Sequence, residues 1–145
     1  MITEAEDILR QHQLKSTRLR KAVLGLLLGT EKGLSHQELS RQLDMDFDRV
    51  TLFRTLHAFE ENGILHSIKD LNGTARYALS TNGKNGKQQN HAHFLCLECH
   101  EVYCLQEVFP LEKMKVPLGF AKQAVDVHVK GICEKCGAIK KEQSN

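Results

Sequence analysis

The sequence lacks an apolar run that could cross a membrane. The longest candidate, residues 22–28, is far shorter than the about 20 apolar residues that a membrane-spanning helix needs. A secretory signal is also missing, because acidic residues stand near the start of the chain, where a signal has basic residues before an apolar stretch. These absences predict a cytoplasmic protein that has no membrane partner.

A strong charge imbalance is missing as well. The chain has 20 Lys and Arg residues against 18 Asp and Glu residues, a net charge of +2 at neutral pH. This balance argues against strong non-specific binding to nucleic acid, and it leaves specific binding through locally placed basic residues open. Nucleophile elbows, phosphate-binding loops and HExxH motifs are absent, so we do not expect an enzyme.

Cysteine is absent from the first part of the chain, which divides the sequence into two regions. Residues 1–81 are cysteine-free and mostly helical in pattern, whereas residues 91–145 hold all five cysteines and have mostly strand patterns. Residues 82–90 are polar and rich in Gly and Asn, which is typical of a hinge. We therefore predict an α+β protein with two small domains joined by this hinge.

The first region has helix starts followed by a hairpin. Helix caps are predicted at Thr3, at Ser16 or Thr17, at Ser35, and at Asp46 or Asp48. Asn72-Gly73 stands between residues 65–69 and 74–79, and this pair is a strong hairpin signal. Three or four helices followed by a hairpin are typical of a winged helix, a helix-turn-helix fold that binds DNA.

The last predicted helix of this region, residues 49–61, has two different faces. Leu52, Leu56 and Phe59 recur on one face, and short polar and basic side chains occupy the other. A recognition helix needs this division, because one face packs on the domain while the other enters a major groove. A plain amphipathic helix with a solvated face is the alternative, and the order of helices and hairpin favours DNA binding over it.

Two CxxC pairs in the second region predict a metal site. The four residues are Cys96, Cys99, Cys133 and Cys136. Each CxxC turn offers two thiolates, and two such turns supply the four soft ligands that tetrahedral Zn²⁺ prefers. Four protein ligands leave no open coordination position, so the predicted zinc is structural.

A thiol-exchange protein that uses one CxxC pair is an alternative from another class. Such a motif lies at the start of a helix in a βαβ context, and the sequence pattern places neither pair at a helix start. A zinc-stapled module for protein interactions, without a role on DNA, is a further alternative. Measurements of bound zinc and of reactive thiols discriminate between a structural zinc site and a thiol-exchange protein.

His91 and His93 suggest a second, regulatory metal site. On a strand, residues two positions apart point to the same side, so both imidazoles can face one ion. Two ligands do not complete a site, and the candidates for the others by residue type alone are Cys104, His100, His36, His12 and Glu101. A buried structural thiol is the alternative for Cys104. A cysteine ligand would favour Zn²⁺ over Fe²⁺, because thiolates are soft ligands.

Several stretches together resemble the ferric uptake regulator (Fur) family of metal-dependent bacterial repressors. Residues 14–20, LKSTRLR, resemble the first DNA-side motif of that family, and residues 51–56, TLFRTL, resemble its recognition-helix motif. Residues 91–99 and 131–136 resemble its metal motifs. The resemblance covers nearly the whole chain in the right order.

This resemblance implies a homodimer with a winged-helix DNA-binding domain and a small α/β dimerisation domain. It also implies a structural zinc in the four cysteines and a regulatory metal near His91 and His93, which would set the spacing of two DNA-binding domains on a palindromic operator. The DNA contacts that it implies come from Lys15, Arg20, Thr51, Phe53 and Arg54. The family usually has Tyr at the position of Phe53.

The usual sensor ligands of the family are mostly missing here. Gly33, Ala78, Ala92 and Val125 stand at positions where family members have His, acidic, acidic and His residues, respectively. Three explanations remain open: a site rebuilt with Cys104 or a displaced histidine, a weak two-histidine site, or DNA binding without a metal signal. We favour the rebuilt site, with Zn²⁺ or Fe²⁺ as its metal.

Overall fold

The computed structural model describes residues 3–80, 91–108, 113–123 and 125–143, and the side chains of His91 and residues 106–108 and 140–143 are outside this description. The chain divides into two compact units, residues 1–88 and 89–145. The predicted hinge, residues 82–90, lies outside the described residues. Within the described part of the chain, no helix is long and apolar enough to span a membrane.

Four helices build most of the first unit: α1 (Glu4–Gln11), α2 (Arg18–Leu28), α3 (His36–Gln42) and α4 (Arg49–Glu61). They begin where side-chain caps accept hydrogen bonds from backbone N–H groups that the helix itself leaves unpaired. These caps are Thr3, Thr17, Ser35 and Asp48. The predicted helix starts are thus confirmed, with Thr17 and Asp48 chosen from the alternatives.

A three-stranded antiparallel sheet completes the first unit. Strands β1 (Leu34–Ser35), β2 (Leu65–Lys69) and β3 (Ala75–Leu79) lie in the order β1-β3-β2. The predicted hairpin joins β2 to β3, and Gly73 adopts a φ of +80°, which a residue without a Cβ tolerates. The two-residue strand β1 was not predicted, because it forms only by pairing with β3.

The helices pack around one apolar core. Leu52, Leu56 and Phe59 on α4 are at most 1% exposed, as the sequence pattern predicted. Leu39 and Leu43 are also buried, so α3 seats against the same core. This packing fixes which face of α4 remains outside.

Within its described residues, the second unit contains a three-stranded sheet and one helix. Strands β4 (His91–Cys96), β5 (Val102–Val108) and β6 (Val127–Gly131) lie in the order β5-β4-β6, and α5 covers Glu134–Gln143. Strand β4 pairs antiparallel with β5 and parallel with β6. The sequence analysis had found mostly strand patterns in this region and had missed α5.

Candidate metal centre and nucleic-acid interface

The four CxxC cysteines come together in the second unit. Cys96 ends β4 and Cys133 directly precedes α5, so the β4–β6 pairing brings the two motifs side by side. All four sulfur atoms lie within 4.8 Å of one another, and the Cys99 and Cys133 sulfurs are 3.8 Å apart. Zn–S bonds of about 2.3 Å give a tetrahedron with S–S edges of about 3.8 Å. The donor set and its spacing therefore fit a four-coordinate zinc ion.

The pKa values of these thiols are also consistent with a site that binds a cation. Burial raises the pKa of Cys96, but backbone N–H groups of Cys99, Cys133 and Glu98 outweigh it and hold that pKa at about 6. The Cys133 N–H lies 3.3 Å from the Cys96 sulfur. In contrast, burial and the neighbouring sulfurs raise the pKa of Cys136 to about 12. Four thiolates this close repel one another, so ionising all four requires a bound positive ion.

The placement of the second CxxC pair corrects the sequence analysis. Cys133-Glu-Lys-Cys136 does lie at the start of a helix, α5, directly after a strand. A hydrogen bond from the Cys136 N–H lowers the pKa of Cys133, as expected at a helix N-terminus. The position of this pair relative to a helix therefore no longer argues against thiol exchange. The argument for a metal is that the sulfur atoms of the first CxxC pair lie close to those of the second.

His93 and Cys104 are direct neighbours across the β4–β5 pair. Their Cα atoms are register partners, so both side chains project from the same face of the sheet. His93 is only 4% exposed, and burial raises the pKa of Cys104 to about 11. A metal at this position would have to displace the Cys104 proton.

His91 occupies the first position of β4, and its side chain lies outside the described part of the protein. Its backbone pairs with Val108, and the β4–β5 register shifts between His91 and His93. The predicted placement of both imidazoles on one ion therefore stays a prediction. His128 is the register partner of His93 on β6, with ring centroids 6.2 Å apart, and it is exposed.

The structure gives a physical reason for one missing sensor ligand. Gly33 is buried beside β3, and a Cβ at this position would lie 3.1 Å from the Cβ of Arg76. A histidine here would therefore crowd the strand pair. Ala78 and Ala92 are 7% and 9% exposed, so two further departures from the family pattern lie in packed surroundings.

The predicted DNA contacts on α4 lie on its exposed face. Thr51, Phe53 and Arg54 are all exposed, and so is the neighbouring Val50, at 50%. This face is opposite the buried side chains that seat the helix. It offers hydroxyl, aromatic, aliphatic and guanidinium groups, a set suited to base edges and phosphates in a major groove.

A hydrogen bond connects Arg20, in the first turn of α2, to Lys15, which precedes this helix. Lys15 is exposed, and the Arg20 guanidinium donates to the Lys15 carbonyl oxygen at 2.9 Å. Arg20 thus fixes the backbone that carries Lys15. The sequence pattern had grouped both residues as direct DNA contacts and gave no sign of this bond.

An ion-pair network that the sequence did not reveal connects the hairpin to α3. Arg76 on β3 donates to Asp70 in the hairpin turn at 2.9 Å and to Glu38 on α3 at 2.8 Å. Burial raises the pKa of Asp70, but hydrogen bonds from Arg76 and from the backbone of Thr74 and Asn72 outweigh it and lower that pKa. No short motif signals this network, because its members meet only through the sheet.

Comparisons with known proteins agree with this arrangement. A model of the ferric uptake regulator family matches residues 11–115. A ferric uptake regulation protein of Staphylococcus epidermidis is 30% identical, with 92% of this chain and 94% of that protein covered. One from Staphylococcus aureus (strain Mu50) is 25% identical over 92% of this chain and 96% of its own.

Solved structures resemble the fold. A zinc uptake regulator complexed with zinc and DNA gives a TM-score of 0.71 at 22% identity, covering 95% of this chain and 93% of that chain. The holo form of XcZur gives a TM-score of 0.69 at 24% identity, covering 92% of this chain and 96% of that one.

These findings define the class of protein as a metal-responsive, DNA-binding transcriptional regulator. The chain belongs to the ferric uptake regulator family.

Proposed function

We propose that this protein is a homodimeric repressor whose first unit is a winged-helix DNA-binding domain. In this proposal α4 enters the major groove of a palindromic operator, and the β2–β3 hairpin is the wing. The observation that carries it is the division of α4 into a buried apolar face and an exposed face with Thr51, Phe53 and Arg54. Lys15, held by Arg20, would contact the DNA backbone.

A structural zinc ion in the four-cysteine group would staple the second unit. The 3.8 Å spacing of the Cys99 and Cys133 sulfurs supports this assignment. Bound zinc would tie the end of β4 to the start of α5 and would leave no open coordination position. Its role would be to hold the sheet on which His93 lies.

A regulatory divalent metal would bind at His93 and Cys104, with His91 as the further predicted ligand. The support is the register pairing of His93 with Cys104 on one face of the sheet. A thiolate and an imidazole together favour Zn²⁺ over Fe²⁺. Because binding at this site acts on the sheet of the second unit, a metal that prefers one arrangement of the dimer would shift DNA affinity.

Exposed apolar side chains on the second unit support the proposed homodimer. Eight large apolar side chains in its described part are more than a third exposed: Leu97, Met114, Val116, Leu118, Phe120, Val129, Ile132 and Ile139. Leu118 and Phe120 are the most exposed of them. Contact with a second copy would remove their apolar area from water, so we assign these side chains to the interface of the proposed homodimer.

The direct test is DNA binding with and without metal. The zinc-loaded protein would be mixed with DNA from its own promoter region, and anisotropy would be followed during titration with Zn, Fe, Mn and Ni. We expect one metal to raise the affinity at least tenfold, which corresponds to about 1.4 kcal/mol of coupling. Absence of binding under every metal condition would refute the proposed function.

A thiol-exchange function is the second candidate, because the start of α5 lowers the pKa of Cys133 and the pKa of Cys96 is about 6. Thiolates of this kind attack disulfides. Elemental analysis together with thiol titration distinguishes the two candidates. A zinc protein has one ion per four-cysteine group and unreactive thiols, whereas an exchange protein has a reactive thiol and no stoichiometric metal.

A further inference from the structure

The imidazole of His36 stacks on the ring of Phe53. The two ring centroids are 3.8 Å apart, and the ring planes differ by 17°. His36 is the first residue of α3 and Phe53 lies on the exposed face of α4, so the stack connects the two helices of the helix-turn-helix pair. Packing of α3 against α4 does not require an exposed ring to be stacked, so the stack is an additional constraint on the position of Phe53.

The surroundings of the His36 ring lower its pKa. Burial lowers the pKa of His36, and the positive charge of Arg49 adds to that effect, against a hydrogen bond with the Arg49 backbone that raises it. The Nε2 atom is buried and has no hydrogen-bond partner among the residues that the structure describes. The hydrogen bond with Arg49 and the stack on Phe53 therefore both orient the ring.

Phe53 borders an open cleft. The cleft has a volume of about 700 Å³ and lies between α3, α4 and β3, with Ser40, Phe47 and Tyr77 among its lining residues. With His36 stacked on it and the Arg49 guanidinium 5.9 Å from its centroid, the Phe53 ring lies beside this space and is 44% exposed.

We propose that His36 is a positioning residue for DNA recognition, which holds Phe53 where its ring makes an apolar contact with a thymine methyl group. This inference rests on the proposed DNA-binding function. Phe53 has no hydroxyl, so it offers a base edge only apolar surface. Among the base edges in the major groove, the thymine 5-methyl group is the apolar feature, and Phe is a side chain that contacts it.

The experiment removes single methyl groups from the DNA. A tight-binding duplex is selected from a random pool by the metal-loaded protein, and each thymine is replaced in turn by deoxyuridine, which lacks only the methyl group. Loss of one buried methyl contact should weaken binding by the unsubstituted protein about fourfold at the contacted thymine. The Phe53→Ala variant should bind the selected duplex and the duplex with deoxyuridine at the contacted thymine equally.

Variants at position 36 then test the positioning role. His36→Leu keeps volume without a ring that stacks, and it should lose most of the preference for thymine over deoxyuridine. His36→Phe keeps a stacking ring and should retain the preference. His12→Ala, which removes a histidine from the C-terminal end of α1, is the matched control and should keep the full preference. Melting temperatures of all variants exclude a loss of fold as the cause.

Three results would overturn the inference. Full thymine preference in His36→Leu would remove the positioning role, and equal loss in His36→Leu and His36→Phe would remove stacking as its basis. An unsubstituted protein that binds its selected duplex without any sensitivity to deoxyuridine would overturn the methyl contact while leaving the proposed function intact. Failure to select any duplex would overturn both.

Discussion

The sulfur atoms of Cys99 and Cys133 lie 3.8 Å apart, although 34 positions separate the two residues in the chain. This distance is the edge of a zinc–thiolate tetrahedron. The relationship depends on the parallel pairing of β4 with β6, which brings Cys96 beside Gly131 in the register. The cysteine group therefore links a local motif to the long-range topology of the second unit.

Cys133→Ser should abolish stoichiometric zinc binding and unfold the second unit. Three thiolates and a hydroxyl form a much poorer site, and structural zinc contributes on the order of 10 kcal/mol to the folding of small zinc domains. Zinc is measured by elemental analysis, and folding by the thermal unfolding curve. Cys104→Ser, measured without added regulatory metal, is the matched control and should keep the structural ion, because Cys104 does not belong to the four-cysteine group. Unchanged zinc content in Cys133→Ser would disprove the site.

Asp70→Asn should destabilise the first unit by about 1–3 kcal/mol, since it weakens charge-assisted hydrogen bonds at a buried position. The Asp70 carboxylate accepts from Arg76, Asn72 and Thr74, each at 2.9 Å. Urea unfolding at neutral pH measures the loss. Glu38→Gln also removes a charge that pairs with Arg76, but its side chain is 28% exposed, so its effect should be smaller. Equal effects would contradict this ranking.

The stability of the first unit should also fall in acid because of Asp70. Its pKa is lowered in the folded state, so its contribution is complete above the unfolded value of about 3.9 and is lost as the pH falls through the folded value. Asn cannot titrate, so the stability of Asp70→Asn should depend less on pH in this window. Parallel pH curves for both proteins would show that Asp70 is not responsible.

Arg54→Glu should weaken operator binding at least tenfold, because it replaces a base- or phosphate-binding cation on the exposed face of α4 with an anion. Anisotropy titrations at several salt concentrations measure the affinity and its salt dependence. Lys15→Ala should weaken binding less and should reduce the salt slope by about 1. Arg10→Glu makes the same charge change on α1 and should have little effect. Operator binding that neither Arg54→Glu nor Lys15→Ala weakens would contradict this interface.

Cys104→Ala and His93→Ala should each abolish the response to the regulatory metal while the structural zinc remains. Both residues occupy the same face of the sheet, so either substitution removes a ligand. The readout is the metal dependence of DNA affinity, with bound zinc determined in parallel. His128→Ala alters the exposed neighbour of His93 and should preserve the response. A full response in Cys104→Ala would exclude this thiol as a ligand.

Local chemistry accounts for the parts of the fold that the sequence predicted. Thr3 caps α1 through a reciprocal pair of hydrogen bonds with Glu6, three residues away, and Asp48 caps α4 through the Val50 N–H. Gly73 supplies the positive φ of the hairpin turn. Each of these interactions spans only a few residues, so the sequence motif is sufficient to predict the contact.

Features that depend on distant partners escaped the sequence analysis. Strand β1 exists because Leu34 and Ser35 pair with Tyr77 and Arg76. Helix α5 was missed because its weakly amphipathic sequence, which includes Gly137, carries little periodic signal. The stack of His36 on Phe53 joins two helices, and no spacing rule connects these residues.

The sequence by itself determined the helix starts, the buried and exposed faces of α4, the two CxxC pairs and the family to which the chain belongs. Their physical basis is local: caps, periodicity and side-chain chemistry act over a few residues. Only the tertiary structure decided that His93 faces Cys104, that Arg76 joins the hairpin to α3, and that His36 stacks on Phe53. These pairs arise from strand register and helix packing, which depend on how the whole core closes.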